Sequence, residues 1–247
     1  MDFFDLKDIS ERYLEILNPS SQEKILLIGQ MAGLKPGQRV IDFGCGFGEP
    51  LALWAEHYGI SGMGIDIRRY ACDRAAQKMI DRGLSQRLTI VCADAATYPI
   101  EPQSFDVVAC VGAVFIWGDL AKALQHLKAI IKPQGKVIIG EPYWKHSMVP
   151  PSDAQRRSSV LSESGIFQVV RAAGFDVEYV VHASADDWDR YEAANWRGLL
   201  HWIEENPQHP DRQQVIDHLH ESQTEYTQWG REYLSWAMYV LNPVKYL

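Results

Sequence analysis

A run of nine residues, Val40-Ile41-Asp42-Phe43-Gly44-Cys45-Gly46-Phe47-Gly48, constrains this chain more than any other stretch. A short apolar strand enters a turn with glycine at alternate positions, and an amphipathic stretch, LALWAEHYG, follows. Glycines there let the backbone turn sharply and come close to a ligand, at the carboxyl end of a strand where open α/β sheets bind. The same rhythm runs from Arg39 to about Tyr143: GMGIDI then RYACDRAAQKMIDRG, RLTIVCAD, FDVVACVG then DLAKALQHLKAIIK, and GKVIIGEP. Parallel strands buried on both faces read as continuous apolar runs and their crossover helices as amphipathic ones, so the expected fold class is a doubly wound α/β sheet.

The flanks carry other patterns. Leu6, Ile9, Tyr13, Ile16 and Leu17 recur at helical spacing until Asn18-Pro19 breaks it, which predicts one helix ending there. Ser20, three residues before Glu23, has the form of a capping box for a second helix leading to Gly33. These N-terminal helices, residues 1–33, carry Phe3, Phe4, Tyr13 and Leu14 and are expected to fold over the ligand as a lid. The polar stretch from Lys145 to Ser164 is the other expected movable edge. A helix around Ile166 to Ala173, a strand FDVEYVVHAS and a last strand WAMYVLNPV follow. Between those strands, residues 186–236 show helical stripes with five of the eight tryptophans, and read as a helical cap inserted before the last strand of a single domain over 1–247.

Composition removes several function classes. With 247 residues, 47% of them hydrophobic, the chain can bury a full core. No apolar run reaches the roughly 18 residues of a membrane span, and MDFFDLKDIS lacks the basic start of a signal peptide, so no membrane partner and a cytoplasmic location are expected. Cys45, Cys72, Cys92 and Cys110 are scattered without metal-ligand spacing, so no metal is expected. The net charge of −8 argues against a nucleic acid partner.

The glycine turn alone fits any nucleotide-type ligand. A dinucleotide fingerprint wants a third glycine at position 49, where this chain has Glu49 followed by Pro50. An anionic side chain beside a pyrophosphate is unfavourable, which shifts the expectation from NAD toward a ligand without phosphates. S-adenosylmethionine (SAM) is such a ligand. The second strand ends in Gly64-Ile65-Asp66, where a carboxylate can accept hydrogen bonds from ribose hydroxyls, and the third ends in Cys92-Ala93-Asp94-Ala95. A single aspartate is as readily a helix cap or a solvated loop residue; carboxylates at three successive strand ends, Asp42, Asp66 and Asp94, point to one ligand.

On these residues the chain resembles the class I SAM-dependent methyltransferase family over roughly residues 20 to 143: VIDFGCGFG, GIDI, CADA, FDVVACVGAVFIW and KPQGKVIIGEP match its successive motifs. The resemblance implies a Rossmann-like sheet of seven strands, the last antiparallel, with SAM as cofactor and S-adenosylhomocysteine as product. It implies that Gly44 and Gly46 contact the amino-acid end of SAM, Asp66 with Ile67 the ribose, and Asp94 with Ala95 the adenine end. Asp42 would support the glycine loop, with Val111 and Gly112 beneath the cofactor. The GEPYW run and the aromatic insertion also resemble a little-characterised bacterial branch acting on small molecules.

The same geometry would put the acceptor above the fourth and fifth strand ends. Ala113, Phe115, Ile116, Trp117 and Asp119 lie on one side there, and Glu141, Pro142, Tyr143, Trp144 and His146 on the other. Glu141 is the first candidate for a polar anchor or general base and His146 the second; Trp117, Tyr143, Trp144 and Tyr191 are candidates for substrate contact. The cap holds eleven acidic residues against four arginines, nearly all of the chain's net charge. That excess reads either as a solvated outer face or as selection of a small cationic or amine-bearing acceptor by charge and cation–π attraction. The alternatives are an NAD(P)-dependent oxidoreductase and a non-catalytic SAM-binding protein.

Overall fold

The computed structural model describes residues 1–146, 157 and 159–244. Five parallel strands, β1 (Arg39–Phe43), β2 (Ser61–Asp66), β3 (Leu88–Cys92), β4 (Phe105–Val111) and β5 (Ile131–Trp144), form the body of one sheet. β7 (Phe175–His182) and β8 (Leu234–Pro243) complete it in the order β3-β2-β1-β4-β5-β8-β7, with β8 antiparallel to both neighbours. An eighth, two-residue strand, β6 (Leu161–Ser162), pairs with the far end of β5 and has no sequence signal of its own. The sheet is therefore the expected doubly wound Rossmann-like one, with the last strand antiparallel. Strand order reverses between β1 and β4, so their carboxyl ends diverge and open a crevice.

Helices cover both faces. α2 (Gln22–Met31) and α3 (Glu49–Tyr58) lie on one, sealed by Trp54, whose Nε1 donates to the Ile25 carbonyl at 2.8 Å. α5 (Leu120–Ile130) and α6 (Glu163–Ala172) lie on the other, around Phe43, Leu124, Val170 and Tyr239. α4 (Arg69–Asp81) closes the β2–β3 connection. α5 starts where Asp119 accepts from the Lys122 amide at 2.8 Å, a side-chain N-cap.

Local patterns mark two N-terminal boundaries differently from the structure. α1 is Phe3–Ser10, followed by a 3-10 turn at Glu11–Tyr13, and Ile16 and Leu17 are not helical. A tertiary contact overrides the helical spacing there: Asn18 Nδ2 donates to the Val111 carbonyl at 3.3 Å, which draws the chain out over the sheet. α2 is capped by Ser21, not Ser20, because a tight turn at Pro19, with the Ser20 amide on the Asn18 carbonyl at 2.7 Å, places the cap one residue later.

The segment between β7 and β8 is helical: α7 (Ala185–Glu205), α8 (Arg212–Glu225) and a π-turn at Tyr226–Gly230. α7 opens with a capping box of Ser184 and Asp187. The helical stripe ends before Trp236, which pairs with Pro142 as part of β8. Strand pairing from Leu234 onward takes over from helical periodicity. α1 packs on the cap, not on the sheet: Leu6 and Ile9 join Leu199, Ile203, Val215 and Leu219 in a small separate core. Among the described residues no helix is long and apolar enough to cross a membrane, and no group of three or more His, Cys, Asp or Glu could hold a metal.

Candidate active site

A cleft of about 370 Å³ opens at the carboxyl ends of β1, β2 and β4, beneath α1. All nine residues expected at the cofactor, Asp42, Gly44, Gly46, Asp66, Ile67, Asp94, Ala95, Val111 and Gly112, line it. Asp66 is buried, and its two oxygens accept from the Gly46 amide and the Arg68 amide, each at 2.9 Å. One carboxylate thus ties the glycine turn to the start of α4 and still has lone pairs to accept from two hydroxyls. Asp42 is buried with its Oδ1 unpartnered among the described residues; burial, helped by nearby Asp66, pushes its carboxyl up to about 7. A buried oxygen with no partner in a ligand-sized cleft is the place for a cationic or N–H donor, which an amino-acid ammonium supplies.

α1 and the segment after it roof this cleft. Phe3, Phe4, Lys7, Glu11, Leu17 and Asn18 line it, whereas Tyr13 turns away to His201, 2.9 Å from its Nδ1. Arg68 fastens the roof by donating to Glu11 at 2.8 Å and Asp8 at 3.1 Å. Gly112 has φ +79, and a Cβ there would come 2.4 Å from Asn18 Oδ1, so this position admits the N-terminal segment as well as a ligand. Residues 147–156 and 158, inside the other expected movable edge, lie outside the described residues.

Glu49 carries an ion-pair network unforeseen in the sequence. It is fully buried and paired with Lys78 at 2.5 Å and Arg82 at 2.9 Å, so its charge is neutralised locally. Its repulsion of a pyrophosphate is correspondingly weaker than its position in the sequence suggests.

A second cleft, about 480 Å³, adjoins the first and shares Lys7, Asn18, Gly112 and Tyr191 with it. The cap supplies most of its wall: Trp188, Tyr191, Glu192, Asn195, His218 and Tyr226, with Pro142 and Trp236 from the sheet. A third, about 750 Å³, lies between the start of α5 and the end of β5 and contains Glu141. Burial alone pushes the Glu141 carboxyl up to about 8.

The other acceptor candidates are dispersed. Trp117 packs edge-on against Phe43 and stacks on His126, behind the loop whose Phe115 and Ile116 line the first cleft. Tyr143 is buried in the sheet core beside His182, and Trp144 is buried against Trp229. His146 is exposed and edge-on to Tyr233. None of these four lines any of the three clefts; of the substrate-contact candidates only Tyr191 does. Side chains alternate along β5, so the adjacent Tyr143 and Trp144 point to opposite faces and each is buried in a different cluster.

Lys7, Asn18, Glu192, Asn195 and His218 are not among the site candidates that the sequence offers. Each is unremarkable on its own element, and only the packing of α1 and the cap over the sheet brings them together.

Comparison with known proteins decides the family. Residues 41–139 match the model of a methyltransferase domain. The chain is 34% identical to a SAM-dependent methyltransferase from Geobacter sulfurreducens, solved in complex with S-adenosylhomocysteine, with a TM-score of 0.91 and 97% of this chain and 98% of that one covered. This chain belongs to the class I SAM-dependent methyltransferase family. It is also 35% identical to the uncharacterised protein YjhP of Escherichia coli, over 98% of this chain and 99% of that protein. A 27-O-demethylrifamycin SV methyltransferase from Amycolatopsis mediterranei is 27% identical, over 81% of this chain and 74% of that protein. SAM is the cofactor of the family, and the oxidoreductase alternative finds no support.

Proposed function

We propose that this class I methyltransferase transfers the SAM methyl group to a small acceptor held between the sheet and the cap. The reading rests on one observation: the second cleft is walled largely by the cap and shares the wall residues Lys7, Asn18, Gly112 and Tyr191 with the first. Its volume, about 480 Å³, suits a small molecule and not a polymer. The rifamycin relative, named for a small-molecule acceptor, supports the same class.

When bound, SAM supplies a methyl group on a sulfonium, which an acceptor lone pair takes in an in-line displacement that leaves S-adenosylhomocysteine. The chain's own residues bind and orient. Asp66 with Ile67 would hold the ribose, Asp94 and Ala95 would hold the adenine end, and Asp42 would meet the amino-acid end. α1 excludes water from above. Positioning of this kind is worth on the order of 7–11 kcal/mol for well-oriented partners.

Glu141 remains the candidate base for an acceptor that reaches from the second cleft past Pro142 into the third, since Gly112 and Pro142 line both. The acceptor we favour is cationic or amine-bearing. The cap's acid excess supports this only in part, because Asp187, Asp189, Asp211 and Glu205 are paired with Lys24, Arg231, the N-terminus and Arg12 away from the clefts. Incubation of the protein and SAM with amine, phenol, thiol and carboxylate acceptors, followed by measurement of S-adenosylhomocysteine, tests the reading. Turnover confined to amines is expected; turnover confined to anionic acceptors refutes the charge preference, and binding of SAM without turnover of any acceptor favours a SAM-sensing protein.

A further inference from the structure

We infer that the cap wall of the second cleft is an ammonium subsite in which Glu192 and Asn195 receive the acceptor's N–H groups, a deepening that rests on the methyltransferase reading. Asn195 donates its Nδ2 to the Tyr191 carbonyl at 2.8 Å, which leaves Oδ1 as its remaining polar atom. The residue is 8% exposed, and among the described residues that Oδ1 has no partner. A buried acceptor atom without a donor costs free energy until a ligand supplies one.

Glu192, three residues earlier on the same helix, lines the same cleft. Among the described residues, the carboxylates of Glu192, Glu221 and Glu225 line it together with the cations Lys7 and Arg157. Both cations already have partners, Lys7 at 3.5 Å from Glu11 and Arg157 on Glu225. An ammonium at Glu192 therefore meets an attracting carboxylate, whereas an anion there meets a repelling one.

The aromatic wall fits the same ligand. Trp188 and Tyr226 stack with ring centroids 6.3 Å apart, and Trp236 closes the sheet side. Such faces attract an ammonium and its attached carbons. The Trp188 Nε1 is also buried and unpartnered among the described residues, so a ligand that donates at its nitrogen and accepts at a second group would satisfy both orphans.

Burial pushes the Glu192 carboxyl up; Lys7 from α1 and Arg157 pull it back, Glu225 from α8 opposes them, and it settles at about 7. His218 and Glu221, also on α8, face the same space. Burial lowers the His218 imidazole from its ordinary value, which keeps that side chain neutral near pH 7 and leaves the carboxylates to meet the charge.

Calorimetric titration of the full chain, with and without S-adenosylhomocysteine, against benzylamine, benzyl alcohol and benzoate tests the subsite. Benzylamine is expected to bind at least about tenfold more tightly than benzyl alcohol, a factor that one charge-assisted hydrogen bond accounts for. E192Q should abolish that preference, and N195L should weaken benzylamine, while both variants keep wild-type affinity for S-adenosylhomocysteine. Affinity for benzylamine should rise from about pH 6 to about pH 8 in the wild type, as Glu192 ionises, and stay flat in E192Q. Equal binding of the three probes, preference for benzoate, no binding of benzylamine, or an E192Q preference equal to wild type overturns the subsite and leaves the methyltransferase reading standing. Failure of S-adenosylhomocysteine to bind overturns that reading instead, and the titrations without it still report on Glu192.

Discussion

Asp66 shows how one side chain joins structure to ligand. Its carboxylate holds the Gly46 and Arg68 amides at 2.9 Å and still faces the cofactor cleft. Asp66→Ala should weaken S-adenosylhomocysteine by about 100-fold, or ~2.7 kcal/mol, as expected for two lost hydrogen bonds to a charged group. Calorimetry checks the affinity, and an unchanged circular dichroism spectrum checks that the fold persists. Glu141 gives a different readout. Its carboxyl is raised from 4.5 to about 8 by burial, so its contribution to stability is present below pH 4.5 and lost as pH rises through 8. Glu141→Gln should match the wild-type melting temperature near pH 5 and exceed it near pH 9. Thermal melts at the two pH values measure this, and parallel curves would mean that the carboxyl is solvated.

Among the elements, α1 matters most to the site, because it belongs to the cap core yet roofs the cofactor cleft. Its carboxyl end crosses α7 at Gly198, where a Cβ would come 2.4 Å from the Ser10 carbonyl and 2.6 Å from that of Ile9. Backbone on backbone cannot yield by rotating a side chain. Gly198→Ala should therefore cost about 1–3 kcal/mol, as overpacking does, and lower Tm by several degrees. It should also weaken S-adenosylhomocysteine, since displacing α1 moves Lys7 and Glu11 together; loss of stability with unchanged affinity would separate the roof from the cap. The helix ends show what local sequence can and cannot set. Asp119, Ser184 and Asp187 cap their helices as their types dictate, but α1 stops at Ser10 because the chain beyond it reaches the sheet through Asn18.

For the whole molecule, ligand closure between sheet and cap should couple to global stability. S-adenosylhomocysteine at 100 times its dissociation constant should add about 2.7 kcal/mol, whereas NAD at the same concentration should leave the thermal transition in place. Much of this could be read from the chain. Val40 to Phe43, Phe105 to Val111 and Val137 to Ile139 are apolar because both faces of a parallel sheet are buried, and a glycine turn after the first strand marks the ligand end. The sequence by itself therefore determined the sheet, its carboxyl edge and nine residues that meet in the first cleft. Tertiary structure alone decided the second cleft, where we propose the acceptor binds. Glu192 and Asn195 from α7, Lys7 from α1, His218 from α8 and Trp236 from β8 share a cleft that no spacing along the chain encodes. Trp117, Tyr143 and Trp144, although close to the strand ends in sequence, fill gaps between elements instead. The physical reason is range: strand and turn signals follow from backbone geometry within a few residues, whereas this pocket wall depends on how separate helices cross.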